Sequence, residues 1–190
     1  MIISILICSL YERAGSLAGL LRELHKQVEE CNAEEMVEII TLIDNRERTT
    51  GSKRNELYQK AKGIYSVSCD DDDKVPSYYI QELLKASVED KDCFAINGTI
   101  TTNGKDEKQW FISKDLPYDT VIEKNGKEYY RRYPNHICPI KSEITKQVLF
   151  QDITLREDYI WATEIHNMGL IKSETIIVQP MYFYEYKTNK

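Results

Sequence analysis

Residues 61–80 read AKGIYSVSCDDDDKVPSYYI. The apolar, β-branched piece from Ile64 to Cys69 has the length and make-up of a buried strand. It ends on four consecutive aspartates, Asp70 to Asp73. Pro76 or Ser77 then opens a helix that turns Tyr79, Ile80, Leu83 and Leu84 inward. The same strand-then-helix unit recurs upstream. Ile2 to Cys8 (IISILIC) predicts a strand covered on both faces, and a helix capped by Ser16 follows with Leu17, Leu20, Leu21, Leu24 and Val28 on one face. Val37 to Ile43 (VEIITLI) predicts another strand, ending at Asp44. A helix capped by Ser52 runs from there through Ala61, with Gly63 placed to stop it. Downstream, Cys93 to Ile96 predicts a fourth strand. The order βαβαβαβ calls for an α/β fold, a mostly parallel central sheet flanked by helices. Strand carboxyl ends then share one edge, where ligands of open α/β sheets bind. Those ends carry Ser9 and Tyr11, then Asp44, then Asp70 to Asp73.

The second half changes character. Asn103-Gly104 and Asn125-Gly126 are tight-turn signals and predict hairpins, hence antiparallel additions to the sheet. Ser142 is placed to cap a helix through Leu149, and Asp158 to Met168 predicts another that Gly169 ends. Glu174 to Val178 predicts a last strand, followed by Pro180 and the run MYFYEY. No internal repeat, low-complexity tract or linker interrupts residues 1–190, so a single domain is expected.

Four adjacent carboxylates repel one another, and a strand end offers them only partial solvation. A hard divalent cation with oxygen ligands, Mg²⁺ or Mn²⁺, would compensate while keeping waters and substrate phosphates as further ligands. The ligand spacing of an EF-hand is absent, and so are a phosphate-binding P-loop and GxGxxG. The net charge of −6 lends no support to a polyanion-binding protein, although Arg46, Arg48, Lys53 and Arg54 form a local basic patch. Five cysteines without CxxC spacing read as small buried hydrophobes in a reducing compartment. No stretch reaches the length of a membrane helix, and the apolar start lacks the basic flank of a signal peptide, so a cytoplasmic location is expected.

Four segments together resemble the family 2 nucleotide-sugar glycosyltransferases, which have the GT-A fold, a Rossmann-type sandwich. They are ISILICSLYER (3–13), LIDNRERTTGSKRN (42–55), the acidic stretch of residues 61–80 quoted above, and REDYIW (156–161). The likeness spans residues 3 to about 165, and its third segment is the most specific. It implies a metal-dependent, inverting hexosyl- or pentosyltransferase. Residues 1–97 would form the nucleotide-sugar half and 98–190 the acceptor half. The donor would be a nucleotide sugar, a UDP-sugar being favoured. The acceptor would be a glycan, protein, small molecule or modified nucleic-acid base. By this resemblance Ser9, Tyr11 and Arg13 line the nucleotide pocket, Asp44 meets base or ribose, and Arg54 meets the nucleotide. Asp70 and Asp72 are the D-x-D pair, with Asp71 and Asp73 open as the alternative register. Asp70, Asp72 and Asp73 are the metal candidates. Asp158 is implied as catalytic base with Glu157 beside it. His136, in YPNHICPIK, would face the acceptor. Trp110 and Trp161 are of a type that stacks on sugars, although a core place suits Trp161 better. The other readings of the same acidic sheet edge are a nucleotidyltransferase and a nucleotide-sugar-binding module without catalysis.

Overall fold

The computed structural model describes residues 1–188. The expected alternation is present. Strand β1 (Ile3–Leu10) leads through a 3-10 turn (Tyr11–Arg13) into α1 (Ala14–Glu30). Then come β2 (Val37–Asp44), α2 (Thr50–Lys60), β3 (Tyr65–Ser68), α3 (Tyr79–Ser87) and β4 (Cys93–Thr102). Strands β1 and β2 pair in parallel, as do β1 and β3. Burial of Ile3, Ile5, Leu6 and Ile7 at 0% exposure explains the unbroken apolar reading of β1, because helices cover both of its faces. Leu17, Leu20, Leu24 and Val28 form the inward stripe of α1.

The caps differ from expectation. Helix α1 starts two residues before Ser16, because the 3-10 turn already winds the chain into it. Thr49, not Ser52, caps α2: its hydroxyl accepts from the Ser52 N–H at 3.0 Å. Helix α3 begins at Tyr79, two residues past the expected opening at Ser77.

The second half extends the sheet with β5 (Lys105–Ile112), β6 (Asp119–Ile122), β7 (Glu128–Arg132), β8 (Ile140–Lys141) and β9 (Glu174–Tyr186). Both Asn-Gly turns close hairpins. Asn103 and Gly104 have φ of 51° and 72°, the left-handed pair that a tight hairpin demands. The strand order is β2-β1-β3-β8-β4-β5-β7-β6, with β9 also on β4. Two-residue β8 is wedged antiparallel between β3 and β4. Nothing in the local pattern announces it.

Two elements change length. The helix expected from Ser142 to Leu149 is one turn, α4 (Ser142–Thr145). The Ser142 hydroxyl is engaged with the Gly63 carbonyl and Ser66, and Asn55 grips Phe150 through both backbone groups at 2.8 and 2.9 Å, which pulls the chain out of helix. Strand β9, expected to stop at Val178, continues to Tyr186 straight past Pro180. The register slips opposite Asn97, whose amide donates to the carbonyls of Ile177, Val178 and Gln179 and so replaces ladder bonds lost at the irregularity. The last helix, α5 (Glu157–Asn167), matches expectation. The five cysteines are free, with Cys69, Cys93 and Cys138 buried. Among the described residues no helix is long and apolar enough to cross a membrane.

Candidate functional site

The site is assembled by packing α5 against α2. Trp161 of α5 is fully buried, stacks on Phe150 at 4.5 Å between ring centroids, and donates its indole N–H to the Val148 carbonyl. Its other neighbour is Tyr58 of α2, at 5.6 Å. Residues four apart share a helix face, so this contact aligns Glu157, four residues before Trp161, with Arg54, four residues before Tyr58. Arg54 is buried, with Nε 3.3 Å from Glu157 Oε1 and Nη2 donating to Asp70 Oδ1 at 2.9 Å. Burial pushes the Glu157 carboxyl up, partly offset by the Arg54 charge.

Each strand-end aspartate has its own surroundings. Asp71 is buried and accepts from Ser9 Oγ at 2.6 Å and Arg13 Nη1 at 3.0 Å. The Asp72 carboxylate lies 3.6 Å from the same guanidinium. Asp70 keeps about a third of its side chain (35%) open. Burial works to raise its pKa, but Arg54 and then His136 outweigh this and hold the carboxyl well below the usual range. Asp73 is buried, and neither of its oxygens has a hydrogen-bond partner. Burial and then the Asp70 charge push it up to about 8; the Tyr182 hydroxyl tempers this without reaching hydrogen-bond geometry.

These aspartates separate two concavities. A groove of about 680 Å³ runs over the ends of β1 and β3, lined by Ser9, Arg13, Arg48, Lys53, Asp70, Asp72 and Leu155 among others. A cleft of about 270 Å³ lies on the other side, with Asp70, Asp73, Arg132, His136 and Asp158 as its acidic and basic groups, and Trp110, Tyr130, Tyr182 and Tyr184 as aromatic walls. Asp70 and Tyr184 border both. The loop before β8 carries His136 here: its carbonyl accepts from the Ser68 N–H at 2.8 Å. The imidazole then sits 3.4 Å from Asp70 and 3.6 Å from Asp158.

Of the residues singled out in the sequence, Ser9, Arg13, Asp70, Asp71 and Asp72 meet at the groove, and Asp70, Asp73, His136 and Asp158 at the cleft. Tyr11 points outward, 60% exposed. Asp44 is occupied in shaping its own turn, accepting from the N–H groups of Arg46 and Arg48 and from Lys53 Nζ at 2.8 Å. Arg54 lies beneath the groove, tying Asp70 to Glu157. Lys53 is a groove residue that its place in the local pattern does not announce. Its buried ammonium also donates to the Ser9 carbonyl at 3.0 Å. Tyr182 and Tyr184 are further cleft residues, and their alternation in MYFYEY is a readable sign that they share one strand face. Trp110 lines the cleft as allowed for, and Trp161 is core.

The groove's outer lip, residues 151–156, rests on the start of α2. The Gly51 N–H donates to the Ile153 carbonyl at 3.0 Å, and Thr49 bonds Asp152. A methyl group at Gly51 would overlap the Gln151 carbonyl oxygen. Gly51→Ala should therefore push the lip outward and cost about 1–3 kcal/mol, readable as a lowered urea midpoint. A midpoint equal to wild type would show that the lip is not seated there.

No protein-family model matches the sequence, and none of the curated proteins matches it. Solved structures do match. S. aureus TarS 1-349 in complex with UDP-GlcNAc superposes with a TM-score of 0.67 at 14% identity, over 100% of this chain and 60% of that one. The chain has a GT-A fold. The complex of TarS 1-349 with UDP gives 0.66 at 14% identity over 97% of this chain. A longer chain of S. aureus TarS gives 0.61 at 11% identity over 97% of this chain. The present chain thus spans 60% of the TarS 1-349 fragments and 37% of the longer chain. In this GT-A fold the groove and cleft both open at the carboxyl edge of β1 and β3.

Proposed function

We propose that the chain transfers a sugar from a nucleotide-diphosphate donor, a UDP-sugar, to an acceptor hydroxyl with inversion at the anomeric carbon. The observation that carries this reading is the meeting of a nucleotide-sized groove and an aromatic cleft at Asp70, with a second carboxylate, Asp158, facing the cleft. It is supported by the UDP and UDP-GlcNAc complexes of TarS, a protein of the same fold. In this reading the acceptor oxygen attacks the anomeric carbon as the bond to the diphosphate oxygen breaks. The diphosphate leaves with the electron pair, and the hydroxyl proton passes to Asp158. Aromatic walls hold the rings in line, which is most of what such a displacement asks of the protein. Arg13 and Lys53 hold the groove side in shape through Asp71, Ser9 and Asp44.

Mn²⁺ or Mg²⁺ belongs to the same proposal. Among the described residues no group of three or more His, Cys, Asp and Glu side chains is arranged to hold a metal ion. The residues nonetheless fit a weaker mode of holding, one or two carboxylates with substrate phosphates completing the shell. The unpartnered, buried Asp73 carboxyl beside Asp72 is pushed up to about 8 by burial and then by the Asp70 charge, so this edge holds more carboxyl groups than its cations offset. Asp72 and Asp70 would hold the ion, which when bound neutralises charge growing on the leaving diphosphate.

A thermal-shift screen of UDP-, GDP-, CDP- and ADP-sugars, with and without Mn²⁺, tests the reading. A ligand at about 100 times its dissociation constant stabilises by roughly 2.7 kcal/mol. The expected result is a metal-requiring rise with UDP-sugars, followed by UDP release on turnover. Pyrophosphate as product would convert the reading to nucleotidyl transfer, and a shift that ignores metal would remove the ion from it.

A further inference from the structure

Asp70 and the Glu157-Asp158 pair come from distant parts of the chain, yet two separate bridges join them. Arg54 links Asp70 to Glu157, at 2.9 and 3.3 Å. His136 links Asp70 to Asp158, with Nε2 3.4 Å from one carboxylate and Nδ1 3.6 Å from the other. The first bridge is interior. The second borders the cleft, and among the described residues its imidazole is the only basic side chain within 4.0 Å of the Asp158 carboxylate. The His136 side chain is only 8% exposed, and Nδ1 is buried without a hydrogen-bond partner. Its backbone is clamped at both ends: the His136 carbonyl accepts from Ser68 N–H, and Asn135 caps the following turn through the N–H groups of Ile137 and Cys138. A ring so fixed, with a polar atom on each of two opposite edges, holds two carboxylates at a set separation, which flexible side chains would not.

We infer that His136 is a positioning residue that holds Asp158 in register with Asp70, so that the reacting groups of cleft and groove are aligned before any ligand arrives. At 3.4 and 3.6 Å the contacts are longer than most side-chain hydrogen bonds. For its catalytic consequence the inference rests on the glycosyltransferase reading; the bridge itself does not.

The test therefore has two arms. The chain contains three histidines, so ¹⁵N-histidine labelling resolves His136. Without nucleotide, Asp158→Asn and Asp70→Asn should each shift the His136 ring nitrogens and leave His25 and His166 in place. An unmoved His136 signal in Asp158→Asn overturns the bridge, whatever the enzyme does. In the second arm, UDP-GlcNAc with Mn²⁺ is turned over with water as acceptor. His136→Phe keeps the ring and removes both nitrogens. It should lower kcat about 10-fold or more, since misplacing a reacting group by an ångström costs up to about 100-fold. The donor KM should stay at its wild-type value, and His136→Gln should recover part of the rate. Melting curves confirm that each variant is folded. A His136→Phe kcat equal to wild type, or a loss confined to KM, overturns positioning. If the wild-type chain neither binds nor turns over UDP-GlcNAc or any donor of the thermal-shift screen, the enzyme reading falls, and the labelled-histidine shifts alone decide the bridge.

Discussion

Asp158→Asn is expected to lower sugar transfer by about 10²- to 10⁴-fold while UDP binds as in wild type, because the change removes a proton acceptor and little else. The geometry separates these two effects. Asp158 lines the cleft, and the groove is built from other residues. It also stands in the first turn of α5, where a carboxylate favours the helix through its dipole. That contribution is small, roughly 0.3–1 kcal/mol, so the variant should fold. UDP release with acceptor present and UDP affinity from thermal shift are the two readings required. Parallel loss of both would move Asp158 out of the base role and into binding. An unchanged rate would send the search for the base to another group.

Arg54→Met should be strongly destabilising. Its guanidinium is the shared partner of Asp70 and Glu157, and the side chains of Arg54 and Glu157 are 5% and 6% exposed. Removing one member of a buried ion pair strands the other, at a cost of about 3–5 kcal/mol. Methionine keeps the bulk against Phe150, so the loss reports charge and not a cavity. Urea unfolding of Arg54→Met and of the double variant with Glu157→Gln checks this. The double variant should regain part of the loss, since it no longer buries a lone carboxylate. A cost of Arg54→Met below about 1 kcal/mol would mean that Glu157 takes up a proton cheaply, and that the interior bridge matters little.

Most of the first half, residues 1–97, was legible because its signals are local. Apolar runs between turns mark β1 to β4, a stripe at helical spacing marks α1, and Asn103-Gly104 demands a hairpin whatever surrounds it. The chemistry-bearing groups at the strand ends were legible too, since parallel strands bring those ends to one edge. Their individual states were not. Four aspartates in a row look equivalent, yet Asp71 is held by Ser9 and Arg13, Asp70 by Arg54 and His136, and the oxygens of Asp73 have no hydrogen-bond partner. Burial and long-range partners set these differences, and no local pattern encodes them. Arg54 shows the same limit: its resemblance-based place was at the nucleotide, and the α2–α5 contact takes it underneath instead.

By itself, then, the sequence determined the alternating strands and helices, the acidic edge and the two hairpins, all of which follow from neighbours a few residues apart. The tertiary structure alone decided that two-residue β8 enters between β3 and β4, that β9 runs through Pro180, and that His136 spans Asp70 and Asp158. Each of these depends on at least one pairing across more than 60 residues. A strand of two residues has too little side-chain pattern to announce itself and exists only because β3 and β4 leave it a ladder on each side.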